Sequence, residues 1–226
     1  WQSLPDIAAR TSNALVDAMA GLHNIDPTSC GLEDLGRPEG FVERQVSGWQ
    51  KRWELARDAD EPGMDELYGL LAKAIPTPQR SSILHNDLKL DNCQFEADDP
   101  DRVKSIFDWD MATLGDPLVD LGTLLGYWPE PTDPAPRAVR PEGARDPFPS
   151  RQQICDRYAA STGLDLTDVH WYEAFALWKT SVVVQQIYIR YKRGQTKDER
   201  FATIAERIPI LVEQALSLFP RQRRPS

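Results

Sequence analysis

Three oxygen-bearing side chains occur at a spacing that could support metal-assisted proton transfer. Asp87 lies five residues before Asn92, and Asp108 lies sixteen residues after Asn92. An amide oxygen and a carboxylate are hard ligands of the kind that Mg²⁺ accepts. A carboxylate outside the metal's coordination can accept a proton from a hydroxyl group. These residue types could therefore hold a metal ion beside a general base.

Two short segments separated by a polar turn would bring Asn92 and Asp108 together. Residues 93–96 and 103–107 are predicted strands, because each is short and the residues between them favour a turn. In an antiparallel hairpin, paired residues lie about 5 Å apart. Asn92 just precedes the first strand and Asp108 just follows the second. Asp87, on the preceding loop, is expected to reach the same region without becoming a metal ligand, which would leave it able to accept a proton.

The motif around these residues is typical of phosphoryl transfer. Residues 85–92 read His-x-Asp-x-x-x-x-Asn, the spacing at which protein kinases place a catalytic aspartate and a metal-binding asparagine. Lys89 would offset repulsion between phosphate and carboxylates, since two like charges 4 Å apart repel by about 4 kcal/mol at an effective dielectric constant of 20. As a positioned base, Asp87 would contribute roughly 10² to 10⁴ in rate.

The rest of the chain is predicted to be mainly helical. Apolar residues at helical spacing predict helices at residues 4–22, 41–57, 64–74, 151–161, 168–193 and 200–218. Asp116 and Pro117 are typical of a helix start, with Asp116 as the cap. Residues 129–149 are predicted to form a proline-rich loop. We find no internal repeat and predict one domain over residues 1–226.

Composition favours a soluble cytoplasmic protein. At 226 residues and 41% hydrophobic content the chain can bury one substantial core. No apolar run approaches the roughly 20 residues that span a bilayer, and no secretion signal is predicted. Cys30, Cys93 and Cys155 are widely spaced, which argues against a zinc site or a disulfide framework. The net charge of −9 argues against nucleic-acid binding and would favour a cationic substrate.

Residues 83–122 resemble the aminoglycoside phosphotransferase (APH)/choline kinase-like family, which has the protein-kinase-like fold. The resemblance rests on His85-Asn86-Asp87, Asn92, Phe107-Asp108-Trp109-Asp110 and Gly115-Asp116-Pro117-Leu118-Val119-Asp120-Leu121-Gly122. It implies that Asp87 is the catalytic base and that Asn92 and Asp108 are metal ligands under the nucleotide phosphates. It also implies that His85 braces the loop and that Asp120 accepts hydrogen bonds from the loop's backbone.

Two further residues are interpreted through the resemblance. Lys89 looks like the catalytic-loop lysine of eukaryotic protein kinases, which approaches the transferred phosphate, so catalytic and nucleotide-binding roles are both implied. Asp110 lies where the family often carries an acid, and its role stays open. Residues 36–45, with Trp49 and Trp53, resemble the branch related to the kinase-like part of certain acyl-CoA dehydrogenase proteins, which is associated with hydroxylated acyl substrates. The two tryptophans could form core contacts or a stacking platform.

The family's nucleotide-clamping features do not occur in these 226 residues. There is no glycine-rich loop after a strand, and no strand lysine that would pair with a helix glutamate. The resemblance therefore implies a C-terminal lobe whose N-terminal nucleotide lobe is absent, and these residues alone are expected to be inactive or nearly so.

We expect the parent protein to use ATP or GTP with Mg²⁺ to phosphorylate a hydroxyl group of a small molecule, either aminoglycoside-like or hydroxyacyl. Two alternatives stay open. A pseudokinase-like binding module would keep the scaffold without turnover, whereas a metal-dependent phosphohydrolase using Asp108 and Asp110 would release phosphate without an acceptor.

Overall fold

The computed structural model describes residues 5–133 and 148–220. The helices are α1 Ile7–His23, α2 Phe41–Ala56, α3 Pro62–Lys73, α4 Leu118–Tyr127, α5 Arg151–Thr162, α6 Val169–Lys192 and α7 Arg207–Ser217. The strands are β1 Ser82–Leu84, β2 Cys93–Phe95, β3 Val103–Ile106 and β4 Thr113–Gly115. The mainly helical prediction is therefore confirmed. Leu4, where the first helix was predicted to begin, and most of the proline-rich loop lie outside the described residues.

The predicted hairpin is present. Strands β2 and β3 pair antiparallel, with Cys93 opposite Ile106 and Gln94 opposite Ser105. A bulge follows, so that Phe95 pairs with Val103. This short ribbon joins the end of the Asp87 loop to the start of the Asp108 loop.

A second two-stranded sheet was not predicted. Strands β1 and β4 pair antiparallel, with Ser82 opposite Gly115 and Leu84 opposite Thr113. The prediction of a single hairpin was thus incomplete, because three-residue strands that pair across about thirty positions leave almost no periodic signal. The pairing sets the His85 loop, which follows β1, beside the start of α4, which follows β4.

Helix α6 lies at the centre of the helical core and packs against α2, α3, α4 and α7. Its fully buried residues include Trp171, Phe175 and Trp178. Helix α4 approaches α6 closely at Gly122, where a Cβ atom would lie 2.5 Å from the backbone of Tyr172. A larger residue would force the helices apart, because protein interiors are close-packed.

Two helix starts differ from prediction. Two 3₁₀ turns, Glu199–Phe201 and Ile204–Glu206, occupy the start of the predicted 200–218 helix, and α7 begins at Arg207. The Asp198 carboxylate accepts a hydrogen bond from the Arg200 backbone, which favours a tight turn there. Helix α4 begins at Leu118, so Pro117 and not Asp116 takes the cap position, although Asp116 Oδ1 accepts a hydrogen bond from the Leu118 backbone. Over the described ranges, no helix has the length and apolar composition needed to cross a bilayer.

Candidate active site

A buried carboxylate binds the backbone of residues 85–92, which are called the catalytic loop below. Asp120, in the first turn of α4, has no exposed surface. Its two oxygens accept hydrogen bonds from the backbone nitrogens of His85 at 2.7 Å and Asn86 at 2.6 Å. His23 Nε2 lies 3.2 Å from the same carboxylate, and the other ring nitrogen of His23 lies 2.7 Å from the Tyr158 hydroxyl. The backbone that precedes Asp87 is therefore fixed by the core.

Asn86 makes a sharp bend immediately before Asp87. Its φ of 65° lies in the left-handed region, which asparagine tolerates better than most residues. Its Nδ2 donates to the Met111 carbonyl at 2.8 Å, and Lys179 Nζ donates to the Asn86 carbonyl at 3.2 Å. Together with the Asp120 carboxylate, which binds the Asn86 backbone nitrogen, these contacts hold the backbone conformation of Asn86.

His85 connects the catalytic loop to residues 107–111, the acidic loop. Its ring is buried, with Nε2 2.7 Å from the Phe107 carbonyl oxygen and Nδ1 3.3 Å from the Asp87 backbone nitrogen. These contacts match the tautomer that donates from Nε2 and accepts at Nδ1. The ring also lies 4.9 Å from that of Trp109. His85 thus occupies a bracing position between the two loops.

Asp87 is partly buried and closely surrounded. Lys89 Nζ lies 2.6 Å from its Oδ2. Asn92 Nδ2 donates to the Asp87 carbonyl at 2.8 Å and lies 3.3 Å from the same Oδ2. The sequence predicts that Asp87 is a base and not a metal ligand. The structure shows in addition that the Asp87 carboxylate accepts hydrogen bonds from protein donors.

Asn92 and Asp108 lie at neighbouring strand ends. The Phe107 backbone nitrogen donates to the Asn92 carbonyl at 2.8 Å, so the residues before and after the ribbon are adjacent. Because the Asn92 amide nitrogen faces Asp87, its Oδ1 remains available for a cation. Asp108 is exposed and has a φ of 64°, and its carboxylate has no hydrogen-bond or ion-pair partner among the described residues. These two oxygen donors fit Mg²⁺, which commonly completes its coordination with water and phosphate.

Asp110 lies in the exposed 3₁₀ turn Trp109–Met111. No contact with another described residue assigns Asp110 a role. Among residues 5–133 and 148–220, no three His, Cys, Asp or Glu side chains form a group that could hold a metal ion.

Sequence reasoning missed two residues near the catalytic loop. The Tyr127 ring lies 5.3 Å from Lys89 Nζ. Burial raises the pKa of Tyr127, and the nearby Asp87 carboxylate raises it further, so the hydroxyl stays protonated. Lys179 is the one cation between His170 and Arg190 in the largely apolar α6 sequence, and that isolation was the available signal. Tyr127 gave no signal, because an aromatic residue at the end of an apolar helix usually belongs to the core.

Other candidate residues have ordinary environments. Trp49 and Trp53 are 5% and 2% exposed, which favours core contacts over a stacking platform. Burial raises the pKa of the Cys93 and Cys155 thiols to about 11, so both stay protonated and poorly nucleophilic.

Residues 2–154 match the family model described as the phosphotransferase enzyme family, APH. The chain belongs to this family. An acyl-CoA dehydrogenase family member 11 from Gallus gallus is 30% identical over 97% of the chain. The chain spans only 29% of that protein's length.

Solved structures agree with the family assignment. A crystal structure from Ralstonia eutropha JMP134, provisionally assigned as an aminoglycoside phosphotransferase, is 29% identical, with a TM-score of 0.80. The alignment covers 96% of this chain and 68% of that one. A macrolide 2'-phosphotransferase type I shares the fold at 16% identity, with a TM-score of 0.63 over 91% of this chain and 60% of its own.

Proposed function

We propose that the chain is the catalytic lobe of an ATP- or GTP-dependent phosphotransferase that phosphorylates a hydroxyl group of a small molecule. One observation carries the proposal: the Asp87 carboxylate lies within hydrogen-bonding distance of Lys89 and Asn92, while Asn92 adjoins the Asp108 loop across the ribbon. A base, a cation and two oxygen ligands are the parts that phosphoryl transfer requires from this half of a kinase-like site.

Each residue has a distinct proposed role. Asp87 orients the acceptor hydroxyl and accepts its proton, and Lys89 stabilises negative charge on the transferred phosphate. The Asn92 amide oxygen and the Asp108 carboxylate would hold Mg²⁺, which when bound neutralises charge on the nucleotide phosphates. Asp120 and His85 act indirectly, since they position the loop that carries Asp87.

The nucleotide contacts that these residues lack are proposed to come from an N-terminal lobe. Family membership and the fold support transfer to a small molecule. The relationship to acyl-CoA dehydrogenase family member 11 favours a hydroxyacyl acceptor over an aminoglycoside. We propose a cytoplasmic location, and we expect residues 1–226 alone to turn over slowly or not at all.

An acceptor screen with the full-length protein, ATP or GTP, and Mg²⁺ tests the proposal. Acceptor-dependent nucleoside diphosphate release should occur with at least one hydroxylated compound. Asp87→Asn should reduce that rate by roughly 10² to 10⁴, whereas Asp91→Asn, at an exposed position in the same segment, should retain it. An Asp87→Asn variant as fast as the parent would show that Asp87 is not the base. Phosphate release without any acceptor would instead favour a hydrolase.

A further inference from the structure

Two cations and one indole ring lie together on facing helices beside the catalytic loop. Arg52 on α2 places its guanidinium carbon 4.3 Å from the centroid of the Trp49 ring. Lys179 on α6 places Nζ 5.6 Å from the same centroid. Trp49 itself is 5% exposed, so both cations lie against a ring that is fixed in the core.

Among the described residues, no carboxylate lies within ion-pair distance of Arg52 or Lys179, whereas Lys89 and Arg157 each have one and Arg151 has three. Arg52 is exposed and Lys179 is partly buried. Burial lowers the pKa of Lys179; Asp120 and Asp87 raise it, while Arg52 and Lys89 lower it further. The fold therefore brings cations together at this point in a chain whose net charge is −9.

One of the two cations, Lys179, contacts the segment that carries the candidate base. Lys179 Nζ donates to the carbonyl of Asn86, the residue immediately before Asp87. A guanidinium binds carboxylate or phosphate through two parallel hydrogen bonds, and an ammonium adds a compact charge. A bound anion would therefore satisfy both side chains while the rest of the same molecule remained close to Asp87.

We propose that Arg52 and Lys179 form a subsite for an anionic group of the acceptor, so that the enzyme selects a hydroxylated acid over a polycation. The inference rests on the proposed function, because it assigns the subsite to the molecule that is phosphorylated. The anion is the acceptor's own carboxylate or a phosphate on a carrier to which the acyl group is attached. The net negative charge of the whole chain does not determine which charge binds at Arg52 and Lys179.

Arg52 gives the cleaner test, because Lys179 also holds the catalytic loop. In the full-length protein, Arg52→Gln is compared with Lys51→Gln, which removes the same charge from the preceding residue; both residues are exposed. Acceptors are hydroxy fatty acids of graded chain length, their primary amides and their coenzyme A thioesters. Arg52→Gln should raise KM for the anionic acceptors by about tenfold, with little change in kcat, whereas Lys51→Gln should not. An effect on the acids alone identifies a carboxylate ligand, and an effect that persists with the thioesters identifies a carrier phosphate.

A binding measurement separates this proposal from the proposed function. Asp87→Asn, alone and combined with Arg52→Gln, is titrated calorimetrically with the same compounds. Arg52-dependent binding of the anionic compounds, without phosphoryl transfer by the parent, would support the subsite and contradict the phosphotransferase proposal. Transfer to acids and amides with equal efficiency, or equal effects of Arg52→Gln and Lys51→Gln, would overturn the subsite and leave the phosphotransferase proposal intact.

Discussion

The catalytic loop and the acidic loop meet at one site but are held in different ways. The backbone of the catalytic loop is bound by the buried Asp120 carboxylate and by Lys179. In the acidic loop, Phe107, Trp109 and Met111 are 50%, 41% and 45% exposed, and the Asp108 carboxylate has no hydrogen-bond or ion-pair partner among the described residues. The difference indicates that folding alone positions the proposed base, whereas the proposed metal-binding loop is left open to ligands.

Two contacts couple these loops despite their different burial. His85 Nε2 lies 2.7 Å from the Phe107 carbonyl oxygen, and Asn86 Nδ2 donates to the Met111 carbonyl at 2.8 Å. Both join a side chain of the catalytic loop to the backbone of the acidic loop. The position of the acidic loop therefore depends on the catalytic loop.

Asp120→Asn should cause the largest loss. It places an amide nitrogen opposite one of two backbone N–H groups, so a buried hydrogen bond to a charged acceptor is lost and a donor is left unpaired. The free energy of unfolding, measured by urea titration, should fall by about 3 kcal/mol, and activity should be lost. Asp91→Asn is the control, with a change within about 0.5 kcal/mol. Equal stability of the two variants would show that Asp120 does not hold the loop.

Asp108→Asn should lower the activity and leave the stability unchanged. Asparagine tolerates the left-handed φ of 64°, and the Asp108 side chain makes no hydrogen bond or ion pair with a described residue that the substitution could break. The free energy of unfolding should stay within about 0.5 kcal/mol of the parent's. Turnover should fall on the order of a hundredfold, because charge stabilisation by the metal is weakened. A large loss of stability would contradict the contrast between the loops.

Substitutions of Asn86 measure the coupling between the loops. Asn86→Gly keeps the left-handed conformation but loses the hydrogen bond to Met111, which costs about 1 kcal/mol. Asn86→Ala loses the same bond and adds a conformational cost of about 1 kcal/mol. Urea titration should therefore rank the parent above glycine and glycine above alanine. An alanine variant as stable as the glycine variant would contradict the assigned backbone conformation.

Tyr127→Phe should have the smallest effect. The protonated hydroxyl interacts with Asp87, while the ring contributes to packing and lies near Lys89. Removal of the hydroxyl should lower kcat by a few-fold and change stability by at most about 1 kcal/mol. A hundredfold fall in kcat would instead indicate that Tyr127 takes part in the chemical step.

Local patterns in the sequence predict part of this arrangement. The ribbon could be predicted, because two short segments flank a polar turn between Asn92 and Asp108. The β1–β4 pairing could not, since neither strand exceeds three residues. The link from His23 to Asp120 spans 97 positions, and no periodic pattern reports such a contact. Arg52 and Lys179 are likewise brought together only by the packing of α2 on α6.

The most direct test is a crystal structure of the full-length protein with Mn²⁺ and a non-hydrolysable nucleotide. We predict an anomalous peak bound by Asn92 Oδ1 and the Asp108 carboxylate at about 2 Å, the distance usual for a hard divalent cation of this size, with Asp87 outside its coordination. A metal bound by Asp87, or one that contacts neither Asn92 nor Asp108, would contradict the account.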